Sequence, residues 1–151
     1  MGSENKSETT GTNISKDAET GLQSKAYFLI NLEHAIAELQ IPDRSYGLLA
    51  INVQNPSKEQ LTCLAKWMQE QADHATHYIN GQNSMLTGIF VLPAILKHEA
   101  ARLQKEWQDS YPGLHFGVST LELAKDSKPE PILEQIAKQA YENMLKTQPA
   151  P

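Results

Sequence analysis

The sequence predicts an α+β fold, a ferredoxin-like βαββαβ unit with an antiparallel sheet, extended by one added N-terminal helix and one added C-terminal helix. Three observations lead there. Segments with 3.6-residue apolar spacing alternate with short apolar runs of β type. A turn-rich group, Gly81, Gln82, Asn83 and Ser84, separates two β-type runs with no helical pattern between them, which is how a hairpin reads. With 151 residues, 40% of them hydrophobic, the chain can build one compact domain with a sizeable core.

Taken in order, residues 1–16 are mostly Ser, Thr, Asn, Glu and Lys with almost nothing to bury, so a disordered leader is expected there. The domain is expected over residues 17–146 and a flexible tail over 147–151. Across residues 24–40, Phe28, Leu29, Leu32, Ala35, Ile36 and Leu39 share one helical face, and Pro42 ends the run. Residues 47–53 are short, apolar and bounded by polar turns, as a buried central strand is. Ser57 with Gln60 three residues on makes a capping box, and Leu61, Leu64, Ala65, Met68 and Ala72 form the inner face of a second helix ending near His74. Strands are expected over 76–80 and 85–92, on either side of the hairpin turn. Pro93 then opens a helix carrying Leu96, Ala100, Leu103 and Trp107, which breaks at Tyr111, Pro112 and Gly113. A fourth strand over 114–121 and a last helix over 129–145, with Ile132, Leu133, Ile136, Ala140 and Met144 inward, complete the order.

Charge and composition exclude several classes of function. The 13 Lys and Arg against 18 Asp and Glu give a net charge of −5 and are spread along the chain, so no concentrated basic surface is available for nucleic acid or an anionic membrane. The longest apolar stretch, residues 89–96, is interrupted by Pro93 and too short to span a bilayer. Cys63 has no second cysteine to pair with, which excludes a disulfide framework and fits a reduced, cytoplasmic compartment; its helical register predicts a buried packing residue. His74 and His77 read as solvated residues at a helix end rather than metal ligands, and Ser84 and Ser119 have no neighbouring base signature. Trp67 and Trp107 suit the core better than an exposed anchor, although Trp107 stays a candidate partner contact.

Several stretches resemble the GGDEF (diguanylate cyclase) family, whose domains have the nucleotidyl-cyclase fold. Asp17, Thr20, Gly21, Leu22 and Phe28 match the motif Asp-x-Leu-Thr-Gly-Leu-x-Asn-Arg-x-x-Phe that opens these domains, while Glu19 and Ser24 depart from it and Lys25 keeps only the charge. Residues 47–53 resemble the family's first strand, residues 89–93 the run after its signature hairpin, and Phe116, Gly117, Val118 and Ser119 its Ile-Gly-Val-Ala strand; Tyr141 falls where the family places a Tyr. The resemblance runs from about residue 17 to 146 and implies the same βαββαβ fold in bacterial signalling.

The resemblance also implies that the chemistry is gone. The family holds its metal ions with an Asp of the first strand and an acidic residue of the hairpin, and phosphoryl transfer depends on such positioned charge. Here the first-strand position is Asn52, followed by Gln54 and Asn55. The signature aligns with Gly81, Gln82, Asn83, Ser84 and Met85, or with residues 84–88, and neither stretch contains Asp or Glu. The segment from Asn52 to Gly81 is shorter than in the cyclases by roughly a dozen residues, a deletion that removes a connecting turn and with it the guanine-reading residues. The inhibitory Arg-x-x-Asp motif is missing before the hairpin, since the only arginines are Arg44 and Arg102. The expectation is an inactive GGDEF-like regulatory or scaffolding module with no catalytic residue, cofactor or metal. Nucleotide binding is not expected, and an unknown protein partner would be contacted through the hairpin (Gln82, Asn83) and the helix over 93–110 (Trp107). The alternative is a receptor that binds GTP or cyclic di-GMP without turnover.

Overall fold

A computed structural model describes residues 16–91 and 93–147. The elements are α1 (Lys25–Glu38), β1 (Tyr46–Gln54), α2 (Lys58–Gln71), β2 (His74–Asn80), β3 (Asn83–Val91), α3 (Pro93–Ser110), β4 (His115–Glu122) and α4 (Pro129–Lys146). Their order is the one the alternating patterns predict. The expected leader, apart from Lys16, the last residue of the second hairpin strand, Leu92, and residues 148–151 of the tail lie outside the described residues.

The four strands form one sheet in the order β2-β3-β1-β4, with every neighbouring pair antiparallel. β1 is central, and Tyr46 through Val53 are all buried because both faces of the sheet are covered. On one face Leu49, Ile51 and Val53 meet Leu61, Leu64 and Met68 of α2 and Leu103 and Trp107 of α3. On the other, Leu48 and Ala50 meet Phe28, Leu32 and Ile36 of α1 and Leu133, Ile136 and Ala140 of α4. A strand buried on both sides has to be apolar at successive positions rather than alternating, which is why β1 reads as one continuous run.

Local signals set the helix starts. Ser24 Oγ accepts from Tyr27 N at 3.2 Å at the head of α1. At α2 the capping box is complete: Gln60 N donates to Ser57 Oγ at 3.0 Å, and Ser57 N to Gln60 Oε1 at 2.9 Å. Gly117 decides how α4 lies on the sheet. A Cβ there would stand 2.2 Å from Met144 N and 2.4 Å from Ala140 O, so only glycine lets the helix backbone approach β4 this closely.

Four expectations are corrected. α2 ends at Gln71 and the chain enters β2 after only Ala72 and Asp73, so His74 and His77 belong to a strand and His77 is buried. Cys63 is exposed: it lies one step off the stripe of Leu61, Leu64, Ala65 and Met68 that faces the sheet. Trp107 is buried, edge-to-face with Trp67 at 5.3 Å between ring centroids and 6.1 Å from the ring of Phe116, which removes it as a surface contact. The hairpin turn is two residues long rather than four, because Asn80 pairs with Asn83.

Candidate functional site

The β2–β3 hairpin turns on Gly81 and Gln82. Gly81 has φ +68°, the left-handed region that a two-residue hairpin asks of its first central residue and that glycine enters without strain. Gln82 at the tip is exposed, whereas Asn83, Ser84 and Met85 lie in β3 and are buried. The register sets Asn83 opposite Gln54, and Met85 opposite Asn52. Asn52 and Asn83 are therefore diagonal neighbours on one face, within reach of each other's side chains. Asn83 Nδ2 donates to Asn52 Oδ1 at 2.9 Å, and Asn52 is 1% exposed.

The same face continues into β4. His115, paired with Gln54 across the ladder, holds the Gln54 side chain through Nδ1 at 2.6 Å and the Met144 carbonyl through Nε2 at 2.8 Å. The C-terminal end of α4 thereby closes one side of an open hollow of about 500 Å³. Asn52, Gln54, Asn80, Gly81, Gln82 and Asn83 line it from the sheet and hairpin, His115 from β4, and Tyr141, Met144 and Leu145 from α4. No Asp, Glu, Lys or Arg is among these residues. Across the described residues, no group of three or more His, Cys, Asp or Glu is placed to hold a metal ion. No helix there is long and apolar enough to cross a membrane.

A second polar cluster lies at the outer edge of β2. Asp17 Oδ2 accepts from Thr20 N at 2.9 Å and Thr20 Oγ1 at 2.8 Å, and Gly21, at φ +77°, donates its N–H to the Asp17 carbonyl. The turn closed in this way presents the same carboxylate to His77 Nδ1 at 2.8 Å. Next to it, Gln23 N donates to the Ala75 carbonyl and Thr76 Oγ1 to the Gln23 carbonyl, so the segment before α1 is stitched to the sheet edge. The sequence marked Asp17, Thr20, Gly21 and Leu22 as motif residues, and the geometry explains them: carboxylate, hydroxyl and glycine build one turn, and Leu22 is buried under it.

No protein-family profile matches the chain, and no curated protein does. Solved structures do match. The FimX GGDEF domain of Pseudomonas aeruginosa aligns with a TM-score of 0.61 at 21% identity, over 87% of this chain and 94% of that one. The chain has the fold of a GGDEF domain. The GGDEF domain of DgcB from Caulobacter crescentus, in complex with c-di-GMP, gives 0.64 at 12% identity, over 90% of this chain and 93% of that one. The diguanylate cyclase SiaD of Pseudomonas aeruginosa, in complex with its activator SiaC, gives 0.57 at 15%, over 95% of this chain and 62% of that one. Within this GGDEF fold the hairpin, the end of β1 and the end of α4 surround the hollow. Sequence reasoning singled out Asn52 and the hairpin but passed over Gln54, His115 and Leu145 as site residues. Only the strand register and the helix position bring these three together.

Proposed function

We propose that the chain is a catalytically silent GGDEF-like module that regulates or scaffolds through protein contacts in bacterial signalling. The observation that carries this reading is the amide pair, Asn83 to Asn52. A turn on Gly81 and Gln82 favours alignment of the signature with residues 81–85, which sets Asn83 at its acidic third position and Asn52 at the first-strand Asp. Joining two GTP molecules calls for carboxylates at those places, to hold cations that neutralise the triphosphate. The residues present do not fit such cations. Two neutral amides are bonded to each other, the hollow is lined by no carboxylate, and an amide oxygen is a weak substitute for a carboxylate toward a hard divalent ion.

The short route from β1 to β2, one 14-residue helix with brief links, also argues against a guanine pocket of the cyclase kind. Among the contact candidates, Gln82 is the exposed one, at the tip of the hairpin. SiaD, solved with its activator, is a precedent for a protein partner on a chain carrying this fold. Tagged protein purified from its native host should retain a partner that Gln82→Arg loses, with circular dichroism unchanged. Equal recovery by both proteins would remove the hairpin tip from the reading.

A second reading is a receptor for GTP or cyclic di-GMP that does not turn it over. It is favoured by the hollow beside the hairpin and by the DgcB complex with c-di-GMP. Calorimetry with each nucleotide separates the two. No heat at high-micromolar ligand supports the protein-contact reading, and a saturable isotherm supports the receptor.

A further inference from the structure

We propose that the hollow between the hairpin and the end of α4 binds an extended, uncharged peptide segment of the partner protein. This rests on the protein-contact reading and names the chemistry of what is contacted. Five of the lining residues, Asn52, Gln54, Asn80, Gln82 and Asn83, carry primary amides, and none carries a carboxylate, ammonium or guanidinium. An amide matches a peptide group donor for acceptor, so a floor of amides suits main-chain N–H and C=O groups. A triphosphate would find no Lys or Arg in the lining to offset its charge.

The internal pairings use only one end of each amide. Asn52 accepts through Oδ1 and Asn83 donates through Nδ2. Among the described residues, Asn52 Nδ2 and Asn83 Oδ1 make no protein hydrogen bond. Asn52 and Asn83 line the hollow, so a ligand acceptor can meet the Asn52 NH₂ there and a ligand donor the Asn83 Oδ1.

The rim on α4 offers two apolar contacts. Tyr141 and Leu145 are 43% and 47% exposed, the two large apolar side chains at the mouth of the hollow. They are one helical turn apart, about 6 Å along the axis. Alternate side chains of an extended peptide are separated by about 6.6 Å and lie on the same side, so two apolar residues at positions i and i+2 meet Tyr141 and Leu145 in turn. A helix also brings apolar residues to about 6 Å at positions i and i+4, but it keeps its backbone amides to itself, out of reach of the floor, so the amides favour the extended form.

The test is a phage-displayed random heptapeptide library selected on the wild-type chain and, in parallel, on Tyr141→Ser/Leu145→Ser. Both changed residues are well exposed, and circular dichroism checks that the fold is kept. Peptides with apolar residues two apart and no charge between them should be enriched on the wild type alone. A synthetic peptide of the selected sequence should bind the double variant at least roughly tenfold more weakly, the scale of losing an aromatic anchor. It should also shift the side-chain NH₂ resonances of Asn52 and Asn83. Equal enrichment on both proteins, selection of acidic or basic sequences, displacement of the peptide by GTP, or self-association of the wild type through this face would each overturn the proposal. GTP turnover, measured separately, bears on catalytic silence; failed selection without turnover overturns the peptide inference alone.

Discussion

Asn52 and Asn83 are joined side chain to side chain by one hydrogen bond of 2.9 Å. Each amide is buried and would be costly without a partner, so removing either exposes the other's need. Asn52→Ala should therefore lower the unfolding free energy by about 1–3 kcal/mol in urea titration, because the Asn83 NH₂ loses its acceptor. Tyr78 makes a second residue-scale case. Burial, and then the negative charge of Glu134, push its phenol from 10.0 up to about 12, while Lys25 Nζ lies 4.8 Å from the ring centroid. Below pH 10 the phenol is neutral in both states and its contribution is complete. Between about pH 10 and 12 the unfolded chain ionises first, so the folded state loses stability across that window. Alkaline unfolding curves of Tyr78→Phe should lack this part of the slope. The sequence marked Asn52 and the hairpin without difficulty. It could not show that Asn52 bonds Asn83 rather than its register partner Met85, since the diagonal contact depends on strand pairing.

At the scale of elements, the helices and strands were legible because each keeps a single period and its ends are marked. Ser57 with Gln60 sets the start of α2, and Gly113, at φ +94°, stands in the turn between α3 and β4. The misreadings fall where such marks are missing. No Gly or Pro separates α2 from β2, so His74 and His77 read as the end of a helix although they begin a strand. Cys63 looked apolar in register, yet an apolar face only about 100° wide leaves it outside. The close seat of α4 was hidden in Gly117, a motif residue whose purpose emerges only when a helix is found against it. Gly117→Ala sets a methyl group against the Met144 and Ala140 backbone, which cannot turn aside as a side chain can. Its cost should reach or exceed the upper end of the ~1–3 kcal/mol typical of overpacking. Urea unfolding measures it, and near-ultraviolet circular dichroism should report loosened packing around α4.

Across the whole molecule, the sheet is finished by protecting its edges. On β4, Asn143 Nδ2 donates to the Val118 carbonyl at 2.9 Å and Thr147 Oγ1 to the Phe116 carbonyl at 3.0 Å, so α4 and the residue that caps it occupy acceptors that another strand would otherwise find. On β2 the turn built by Asp17 and the pairing of Gln23 with Thr76 do the same for the first half of the strand. Asp17→Ala should release this segment, and hydrogen exchange should quicken at the Gln23 amide bonded to Ala75 while β1 stays protected. The alternation of periods made the fold class readable, but the contacts that join sequence-distant groups, Asp17 to His77 and Gln54 to His115, needed the assembled sheet. The proposed catalytic silence rests on the amide pair of Asn52 and Asn83. Incubating the purified chain with GTP and Mg²⁺ or Mn²⁺, and resolving the nucleotides by chromatography, tests it directly: the GTP should remain intact, and the appearance of cyclic di-GMP would contradict it.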